Sequence, residues 1–322
     1  MIPSKKSIEE ASERISPYIH KTPVISSERI NNLFETSIFF KCENLQKAGA
    51  FKTRGAVNAV FSLSDEECIN GVATHSSGNH AQALARAAKL RGIDSYIVMP
   101  EDSSKVKIEA VKGYGGKITF CKPNLESRET TLNEVIAKTK AIEIHPYNNY
   151  KIICGQATAA KEFYHEIKNL EIIIAPVGGG GLLSGTALST SYFSPDTKVI
   201  AAEPVQADDA YKSFYTKEYY PSINPQTIAD GLKTSLGSLC FPIILKHVYQ
   251  IITVKEKTII NVMKLFWEST KLIIEPSSAV CLAAIAENKQ EFKNKKIGII
   301  ISGGNVDLEA LPWNQNNTNL NI

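Results

Sequence analysis

The 322-residue sequence lacks the features that mark secreted, membrane-spanning and zinc-binding proteins. Its six cysteines form no CxxC pair and follow no regular spacing, so we expect reduced thiols in the core instead of a disulfide framework. Its six histidines include no HxxxH pair, which argues against a zinc enzyme. No run approaches the ~18 apolar residues of a membrane helix, and the N-terminus has no apolar signal core. These absences predict a cytoplasmic protein that spans no membrane.

The sequence also lacks an excess of charge of either sign. The 36 lysines and arginines nearly balance the 33 aspartates and glutamates, and the basic residues are spread along the chain. A surface that binds nucleic acid or anionic lipid normally concentrates basic residues in one region. We therefore expect neither nucleic acid nor a membrane surface as a partner.

What the sequence does contain is an alternation of short β-rich runs with helix-length amphipathic runs. Three strand-to-helix units lie between residues 71 and 145, and a second series begins near residue 151. Runs such as EIIIAPV and KIGIII are continuously apolar, as in parallel strands covered on both faces. The pattern predicts a doubly wound α/β fold with mostly parallel sheets in two domains. We place a small mobile domain at residues 66–145, inserted between residues 1–65 and 146–322 of a large domain.

Three loops at predicted strand ends have compositions that core packing does not require. Ligands of open parallel sheets gather at such ends. The loop SSGNH (76–80) opens a helix and offers backbone N–H groups to a carboxylate. The loop GGGG (178–181) allows close backbone approach to a phosphate, and SGGN (302–305) places a hydroxyl beside a ligand heteroatom. Taken singly, the first loop could equally be a helix cap, the second a flexible turn, and the third is a weak signal.

A lone lysine completes the set. Lys52, in AGAFKTRGA, is predicted at a helix N-terminus, where the helix dipole disfavours a cation. The glycine run is neither a P-loop nor a dinucleotide fingerprint, so its phosphate belongs to another ligand. A buried amine, a glycine phosphate cup, an anion-binding turn and a hydroxyl facing a heteroatom together describe a pyridoxal phosphate site.

The motifs KCENLQKAGAFKTRGA, THSSGNHAQ, PVGGGGLLSG, IADGLKTS, IIEPSSAV and SGGN occur in one order along almost the whole chain. They resemble those of the fold-type II (tryptophan synthase β-like) pyridoxal phosphate enzymes, within them the serine/threonine dehydratase family and its racemases. The resemblance implies that Lys52 is the Schiff-base lysine and that Phe51 packs beside the cofactor ring. The other implied cofactor contacts are Asn79, Gly178, Gly179, Gly180, Gly181, Leu182, Gly231 and, at the ring nitrogen, Ser302. The implied substrate carboxylate site is Ser76, Ser77, Gly78, Asn79 and His80, joined by Arg128 when the cleft closes.

Ser77 separates the racemases of this family from its dehydratases, which usually carry alanine there. Racemisation needs an acid or base on each face of the substrate carbanion, whereas elimination can proceed with one. The resemblance therefore assigns Lys52 to one face of the α-carbon and Ser77 to the other. The expected reaction interconverts L-serine and D-serine, with β-elimination of serine to pyruvate and ammonia as a side activity. A catabolic L-threonine or L-serine dehydratase is the alternative, and a non-catalytic metabolite sensor is a more distant one.

The resemblance also implies two regulatory sites. Glu203, Asp209 and the Ala207 carbonyl match a divalent cation site, suited to Mg²⁺, Ca²⁺ or Mn²⁺. The residues that match an ATP site between the subunits of a homodimer are Ser27, Lys47, Gln82, Tyr114, Lys271 and Asn305. Glu28 replaces an apolar residue of that site and Ser269 stands where an arginine is expected, so we expect weak or absent activation by ATP.

Overall fold

The computed structural model describes residues 2–76, 78–103 and 105–313. Its helices are α1 (Lys5–Ile15), α2 (Glu28–Phe34), α3 (Lys52–Phe61), α4 (Asn79–Arg91), α5 (Lys105–Gly113), α6 (Leu125–Thr139), α7 (Tyr150–Glu166), α8 (Gly181–Phe193), α9 (Asp209–Thr216), α10 (Phe241–His247), α11 (Glu256–Thr270), α12 (Pro276–Glu287) and α13 (Lys289–Phe292). Its strands are β1 (Val24–Ile25), β2 (Ser37–Cys42), β3 (Val72–His75), β4 (Ser95–Pro100), β5 (Lys117–Cys121), β6 (Ile142–Glu143), β7 (Ile172–Pro176), β8 (Lys198–Pro204), β9 (Gln250–Val254) and β10 (Lys296–Ile301).

The strands form two sheets. The larger has the order β1-β2-β10-β7-β8-β9 and is parallel except for the β1–β2 pair. The smaller, β5-β4-β3-β6, is parallel throughout and is built from residues 72–143. The doubly wound, mostly parallel α/β fold is therefore confirmed. The domain boundaries at residues 65 and 146 stay a prediction.

The large sheet is apolar because helices cover both of its faces. Every residue of β7 is buried, and Ile297, Ile299, Ile300 and Ile301 of β10 have no exposed surface. One core cluster includes side chains of α11 and α12, and another includes side chains of α7 and α8. Each fully buried isoleucine of this kind stabilises the fold by about 1.5–3 kcal/mol.

The six cysteines are buried with free thiols, as predicted. Among the described residues, none of the helices combines the length and the apolar character needed to cross a bilayer.

Close contact between α3 and α7 sets the position of Lys52, the first residue of α3. A Cβ atom added to Gly155 would lie 2.5 Å from the Arg54 carbonyl oxygen, and one added to Gly55 would lie 2.4 Å from Gln156 Nε2. The backbone oxygen of Arg54 leaves no room for a side chain at Gly155, and at Gly55 a side chain would have to displace Gln156 and would lie 3.0 Å from the Ile152 carbonyl oxygen. Glycine at both positions therefore lets the two helix backbones approach each other.

A buried ion network fixes the same region. The Arg54 guanidinium donates to both carboxylate oxygens of Glu43 (2.7 and 2.9 Å) and of Glu162 (2.7 and 2.7 Å). Lys41 Nζ, which is fully buried, lies 2.9 Å from Glu162. Bidentate arginine–carboxylate pairs have strict geometry. The network therefore ties the end of β2 and the middle of α7 to the first turn of α3.

We expect Arg54→Met to lower the free energy of unfolding by about 3–5 kcal/mol, because it leaves the fully buried Glu43 carboxylate without its cation. Urea unfolding of the purified variant measures the loss. Lys295→Met is the matched control, since Lys295 pairs with Glu171 at 2.8 Å with both side chains nearly half exposed. Exposed pairs contribute at most about 1 kcal/mol. Equal losses in the two variants would contradict the role given to the network.

Candidate active site

Loops that follow three neighbouring strands of the large sheet meet at its carboxyl edge. The chain from β2 leads to Lys52, the chain from β10 leads to Ser302, and the glycine loop follows β7. Ala50 forms an isolated bridge with Gly303, and the Phe51 amide donates to the Ser302 carbonyl at 2.9 Å. The structure thus brings together the lysine, the hydroxyl and the glycine loop.

The Lys52 amine lies in a partly buried position at the start of α3. Its Nζ donates to the Pro146 carbonyl at 2.8 Å and lies 5.2 Å from the centre of the Phe51 ring and 5.9 Å from that of Tyr147. Burial lowers the pKa of Lys52 to about 8, against a smaller opposing effect of Cys240 and Glu275. A much larger fraction of this amine is neutral near pH 7.5 than of an ordinary lysine, so it is a better nucleophile and base.

The predicted anion-binding turn opens α4. Gly78 caps this helix and its amide donates to Ser76 Oγ at 3.3 Å. Asn79 and His80 begin the helix, and N–H groups of a first helical turn have no acceptor within their own helix. A carboxylate placed there would meet donors and the positive end of the helix dipole. Ser77 lies outside the described residues, so its assignment to one face of the substrate stays a prediction.

The His80 ring faces the protein interior. It is 2% exposed, and Nε2 lies 2.9 Å from the Ile144 carbonyl, to which it must donate. Burial, reinforced by the charge of Lys52, lowers the pKa of His80 to about 3, so the ring is neutral. The group that His80 can offer to a substrate carboxylate is therefore its backbone N–H.

The glycine loop is held between Tyr147 and the 3₁₀ turn Asp230–Leu232. A Cβ atom added to Gly179 would lie 2.3 Å from the Tyr147 ring, and one added to Gly178 would lie 2.9 Å from Leu232 Cα. Gly180 has a φ of 88°, which favours glycine, and Gly181 begins α8. The loop is therefore a close-fitting cradle at a helix N-terminus, the arrangement that binds phosphate.

Two other predicted cofactor residues, Leu182 and Gly231, lie next to the glycine loop. Leu182 is 4% exposed and packs in the core, so its backbone N–H is the group it can offer a ligand. Gly231 donates its amide to Ser277 Oγ at 3.1 Å, and its carbonyl oxygen would lie 3.2 Å from a Cβ atom on Gly178. Gly231 therefore adjoins the phosphate loop.

Ser302 is positioned by a neighbouring serine. Its Oγ lies 2.9 Å from Ser278 Oγ, which also accepts from the Gly303 amide and donates to the Gly303 carbonyl, both at 2.8 Å. Ser302 is 3% exposed. A hydroxyl fixed in this way has a defined direction toward a ligand atom.

Asn79 is held by two residues of the opposite side of the cleft. Its Nδ2 donates to both Glu275 carboxylate oxygens at 3.0 and 3.1 Å, and its Oδ1 accepts from Asn305 Nδ2 at 2.8 Å. Asn305 Nδ2 also donates to the Ala48 carbonyl at 2.8 Å. Burial, followed by the charge of Asp230, raises the pKa of Glu275 to about 7. Glu275 was not among the residues predicted from the sequence, although an acid within the apolar run LIIEPSSAV was a signal.

The segment 145–147 was also missed. The Pro146 carbonyl accepts a hydrogen bond from the Lys52 amine. His145 Nδ1 accepts from the amides of Tyr147 (3.3 Å) and Asn148 (2.9 Å). The Tyr147 ring covers the glycine loop. Nothing local in HPYNN distinguishes it from an ordinary turn, because these contacts join segments that are far apart in the sequence.

Arg128, predicted to reach the substrate, lies on α6 beside the end of β3. Its charge acts on His75, whose pKa is lowered first by burial and then by this arginine. Arg128 Nε is buried and has no hydrogen-bond partner within the part of the chain that the structure describes. A donor at this position is available to a ligand.

Two buried carboxylates form the predicted cation site. Glu203, the last residue but one of β8, has no exposed surface, and its oxygens accept from the amides of Ala210 (3.1 Å) and Tyr211 (2.8 Å). Asp209 is 3% exposed, and the Ser222 hydroxyl and the Leu236 amide lie near enough to its carboxylate to lower its pKa, although neither contact has full hydrogen-bond geometry. Burial raises both pKa values, that of Glu203 well above its usual range and that of Asp209 to about 7. Ala207, also buried, lies between them in the chain.

The predicted nucleotide residues are spread over several elements. Ser27 Oγ accepts from the Ile30 amide at 3.5 Å and so caps α2, and Lys271 Nζ donates to the Glu268 carbonyl at 2.6 Å. Gln82 is 5% exposed on α4, and Tyr114 packs against the core around α3 and α4. Lys47 begins the 3₁₀ turn Lys47–Gly49. Several of these side chains are therefore already engaged within the chain.

Comparison with known proteins gives a consistent result. The sequence profile described as "Pyridoxal-phosphate dependent enzyme" matches residues 15–303. The serine racemase of Dictyostelium discoideum is 52% identical over 95% of this chain and 96% of its own, and its crystal structure superposes with a TM-score of 0.90. A β-hydroxyaspartate dehydratase of Paracoccus denitrificans is 48% identical over 97% of this chain and 99% of its own. A threonine deaminase from T.th., known from its crystal structure, is 35% identical, with a TM-score of 0.90 over 95% of this chain and 99% of that one.

We expect the protein, in the presence of a chelator, to lose stability as the pH rises from about 4 to about 7. The pKa of Asp209 is about 7 when folded and near 3.8 when unfolded, so the folded state binds more protons in this window. The free energy of unfolding then falls as pH rises, by at most about 4 kcal/mol from this group. Urea unfolding at several pH values measures the slope.

Asp209→Asn should remove the part of this dependence that Asp209 contributes, and Glu203, whose pKa burial also raises, should keep the rest. Asp208→Asn is the control, because Asp208 is an adjacent carboxylate that pairs with Lys212 at 2.8 Å nearer the surface. If Asp209→Asn keeps the slope of the unmodified protein, the carboxyl group of Asp209 is not the source.

Proposed function

The chain belongs to the pyridoxal-phosphate dependent enzymes, and on that premise we propose that it interconverts L-serine and D-serine and also converts serine to pyruvate and ammonia by β-elimination. The observation that carries the proposal is the Lys52 amine held at the Pro146 carbonyl beside a glycine cradle, in a chain 52% identical to a serine racemase. A small amino acid is therefore the proposed substrate.

The described residues fit pyridoxal phosphate. The glycine loop accepts no side chain at Gly178 or Gly179 and lies at the N-terminus of α8, as a phosphate site requires. Lys52 supplies the amine that would bind the cofactor, Asn79 would face its ring hydroxyl and Ser302 its ring nitrogen. When bound, the cofactor withdraws electrons from the substrate α-carbon and so makes the α-proton removable.

The protein groups would then orient the substrate and move its protons. The first turn of α4 holds the carboxylate through backbone N–H groups, which places the α-carbon near Lys52. Because burial lowers the pKa of Lys52, a larger fraction of its amine is neutral than in an ordinary lysine, and the neutral amine can take the α-proton from one face. The Ser77 hydroxyl is proposed to return a proton to the other face, which inverts the configuration.

β-Elimination competes with inversion whenever the β-hydroxyl leaves before a proton returns. A hydroxyl such as that of Ser302 does not hold a proton on the ring nitrogen as a carboxylate would. Such a site would stabilise negative charge at the α-carbon less, which favours loss of the β-hydroxyl. The hydroxyl would leave as water after taking a proton, and hydrolysis of the resulting enamine would give pyruvate and ammonia. Some pyruvate should therefore accompany D-serine.

A second candidate is elimination as the main reaction. The 48% identical relative is named a β-hydroxyaspartate dehydratase, and a threonine deaminase shares the fold at 35% identity. An L-threonine or L-serine dehydratase would need the same carboxylate turn and the same lysine. The difference lies in whether an acid or base works on the second face.

We also propose a divalent cation, Mg²⁺, Ca²⁺ or Mn²⁺, between Glu203 and Asp209. Two buried carboxylates repel each other and lose hydration, and a cation with oxygen ligands would relieve both costs. The Ala207 carbonyl would be a third ligand. The described residues contain no cluster of three or more Cys, His, Asp or Glu side chains, so such a site would complete its shell with carbonyl oxygen and water.

A homodimer with weak or absent ATP activation is a further proposal, as is a cytoplasmic location. Leu45 and Ile273 are 41% and 42% exposed, and Asn44 Nδ2 donates to the Ile273 carbonyl at 3.0 Å, which keeps their segments adjacent. Exposed apolar side chains that lie together favour contact with a second copy. The proposal about ATP concerns Ser269, which stands in place of the expected arginine. Its hydroxyl is buried without a partner in the described chain, and it cannot make the bidentate contacts of an arginine.

Incubation with L-serine and with L-threonine, with and without Mg²⁺ and ATP, followed by chiral amino-acid and keto-acid analysis, tests the activity. We expect D-serine and pyruvate from the unmodified enzyme and neither from Lys52→Ala. Ser77→Ala should lose D-serine formation by roughly a hundredfold or more, the usual contribution of an acid or base, and keep most pyruvate formation. Visible absorbance of bound cofactor checks that Ser77→Ala is intact.

Two results would overturn parts of this proposal. Pyruvate without D-serine from the unmodified enzyme would make it a dehydratase. Equal survival of both activities in Ser77→Ala would remove that residue from the second face.

Mg²⁺, Ca²⁺ or Mn²⁺ should raise the melting temperature of chelator-treated protein. At a cation concentration 100 times the dissociation constant the stabilisation is about 2.7 kcal/mol. Asp209→Asn should lose the shift, and Asp208→Asn should retain it. Thermal unfolding with and without each ion measures the effect; an undiminished shift in Asp209→Asn would place the cation elsewhere.

A further inference from the structure

An ion pair bridges the cleft between the two sheets. Lys107, on α5, donates from Nζ to Oδ2 of Asp230, which begins the 3₁₀ turn before Gly231. The Lys107 side chain is 20% exposed and that of Asp230 is 50% exposed. Across the described ranges, no other ion pair joins residues 66–145 to residues after 145. We name this ion pair the latch pair.

The latch pair lies beside both halves of the candidate active site. A Cβ atom added to Gly78 would lie 3.6 Å from Lys107 Nζ, so the ammonium group adjoins the turn assigned to the substrate carboxylate. Asp230 is followed in the chain by Gly231, whose carbonyl oxygen adjoins Gly178 of the glycine loop. The pair therefore spans from the anion-binding turn to the edge of the cofactor cradle.

The charges of the pair also reach the buried side of the cleft. Besides burial, the negative charge of Asp230 raises the pKa of Glu275, and the positive charge of Lys107 lowers it. Glu275 is the residue that holds Asn79. Both members of the pair therefore lie close to the groups that line the site.

We propose that Lys107 is a positioning residue which, through Asp230, biases the anion-binding turn of α4 toward closure against the cofactor cradle, both before and after substrate binds. The inference rests on the proposed function for the identity of the substrate. Closure by the latch pair would restrict the entry of water and small molecules, and it would complete the carboxylate site that determines KM.

The solvent exposure of the latch pair determines how strongly it favours the closed cleft. A partly exposed ion pair changes an equilibrium by a factor of about five at most, and salt weakens it. A contact of this strength biases the cleft toward closure and still opens in each turnover. A fully buried pair, such as Arg54 with Glu43, would be too costly to break repeatedly.

The test uses the holoenzyme and two readouts. The first is the rate at which hydroxylamine abolishes the visible absorbance of the bound cofactor, which reports access to the site without any substrate. The second is KM and kcat for L-serine. We expect Lys107→Met and Asp230→Asn each to raise the hydroxylamine rate and KM about threefold to fivefold, with kcat within about twofold.

The variants are chosen to isolate the pair. The double variant Lys107→Met with Asp230→Asn should show no further change beyond either single one, because the interaction is already lost. Lys107→Arg keeps the charge and should stay within about twofold of the unmodified enzyme, which distinguishes the latch from a folding defect. Lys105→Met, an exposed lysine on the same helix, is the matched control and should have no effect.

The outcomes separate this inference from the proposed function. Unchanged hydroxylamine rates in Lys107→Met, effects that multiply in the double variant, or an equal effect of Lys105→Met would each overturn the latch. If the unmodified enzyme does not act on L-serine but the hydroxylamine rates change as expected, the latch stands and the proposed substrate is wrong.

Discussion

The site depends on an amine at the start of a helix whose charged form is disfavoured. A cation at Lys52 would face the positive end of the α3 dipole and would lose hydration in the cleft. Neither cost applies to a neutral amine, and the Pro146 carbonyl still accepts one of its protons. Burial and the helix dipole therefore disfavour a charged lysine at this position, and the same two effects make its amine a better nucleophile near neutral pH.

The rigid side of the cleft is built around this amine. Arg54, two residues further along α3, is fixed by four charge-assisted hydrogen bonds with no exposed side-chain surface. Gly55 and Gly155 allow α7 to pack directly against the same turn. Because these contacts lie away from solvent, neither substrate binding nor salt competes with them, and the direction of the Lys52 side chain is set by the fold itself.

The sequence predicted the parts of the site that depend on local chemistry and on sheet geometry. Glycine runs, helix starts and apolar strands are local signals, and parallel strands bring their carboxyl ends to one edge, so Lys52, Gly178 and Ser302 could be grouped in advance. Pro146 and Glu275 could not, because their contacts with Lys52 and Asn79 span 94 and 196 residues. The orientation of the His80 ring could not be predicted either, since it depends on the Ile144 carbonyl, 64 residues further along the chain.

The polar contacts across the cleft are more exposed to water than the buried ion network around Arg54. Asn79 meets Glu275 and Asn305 through hydrogen bonds of partly buried side chains, and Lys107 meets Asp230 near solvent. Water can replace such partners at little cost, whereas it cannot reach Arg54. Movement is therefore expected where interactions are exchangeable, between the anion-binding turn and the cofactor cradle. The amine and the cradle, which must keep a fixed distance from each other, both lie in segments that follow strands of the large sheet.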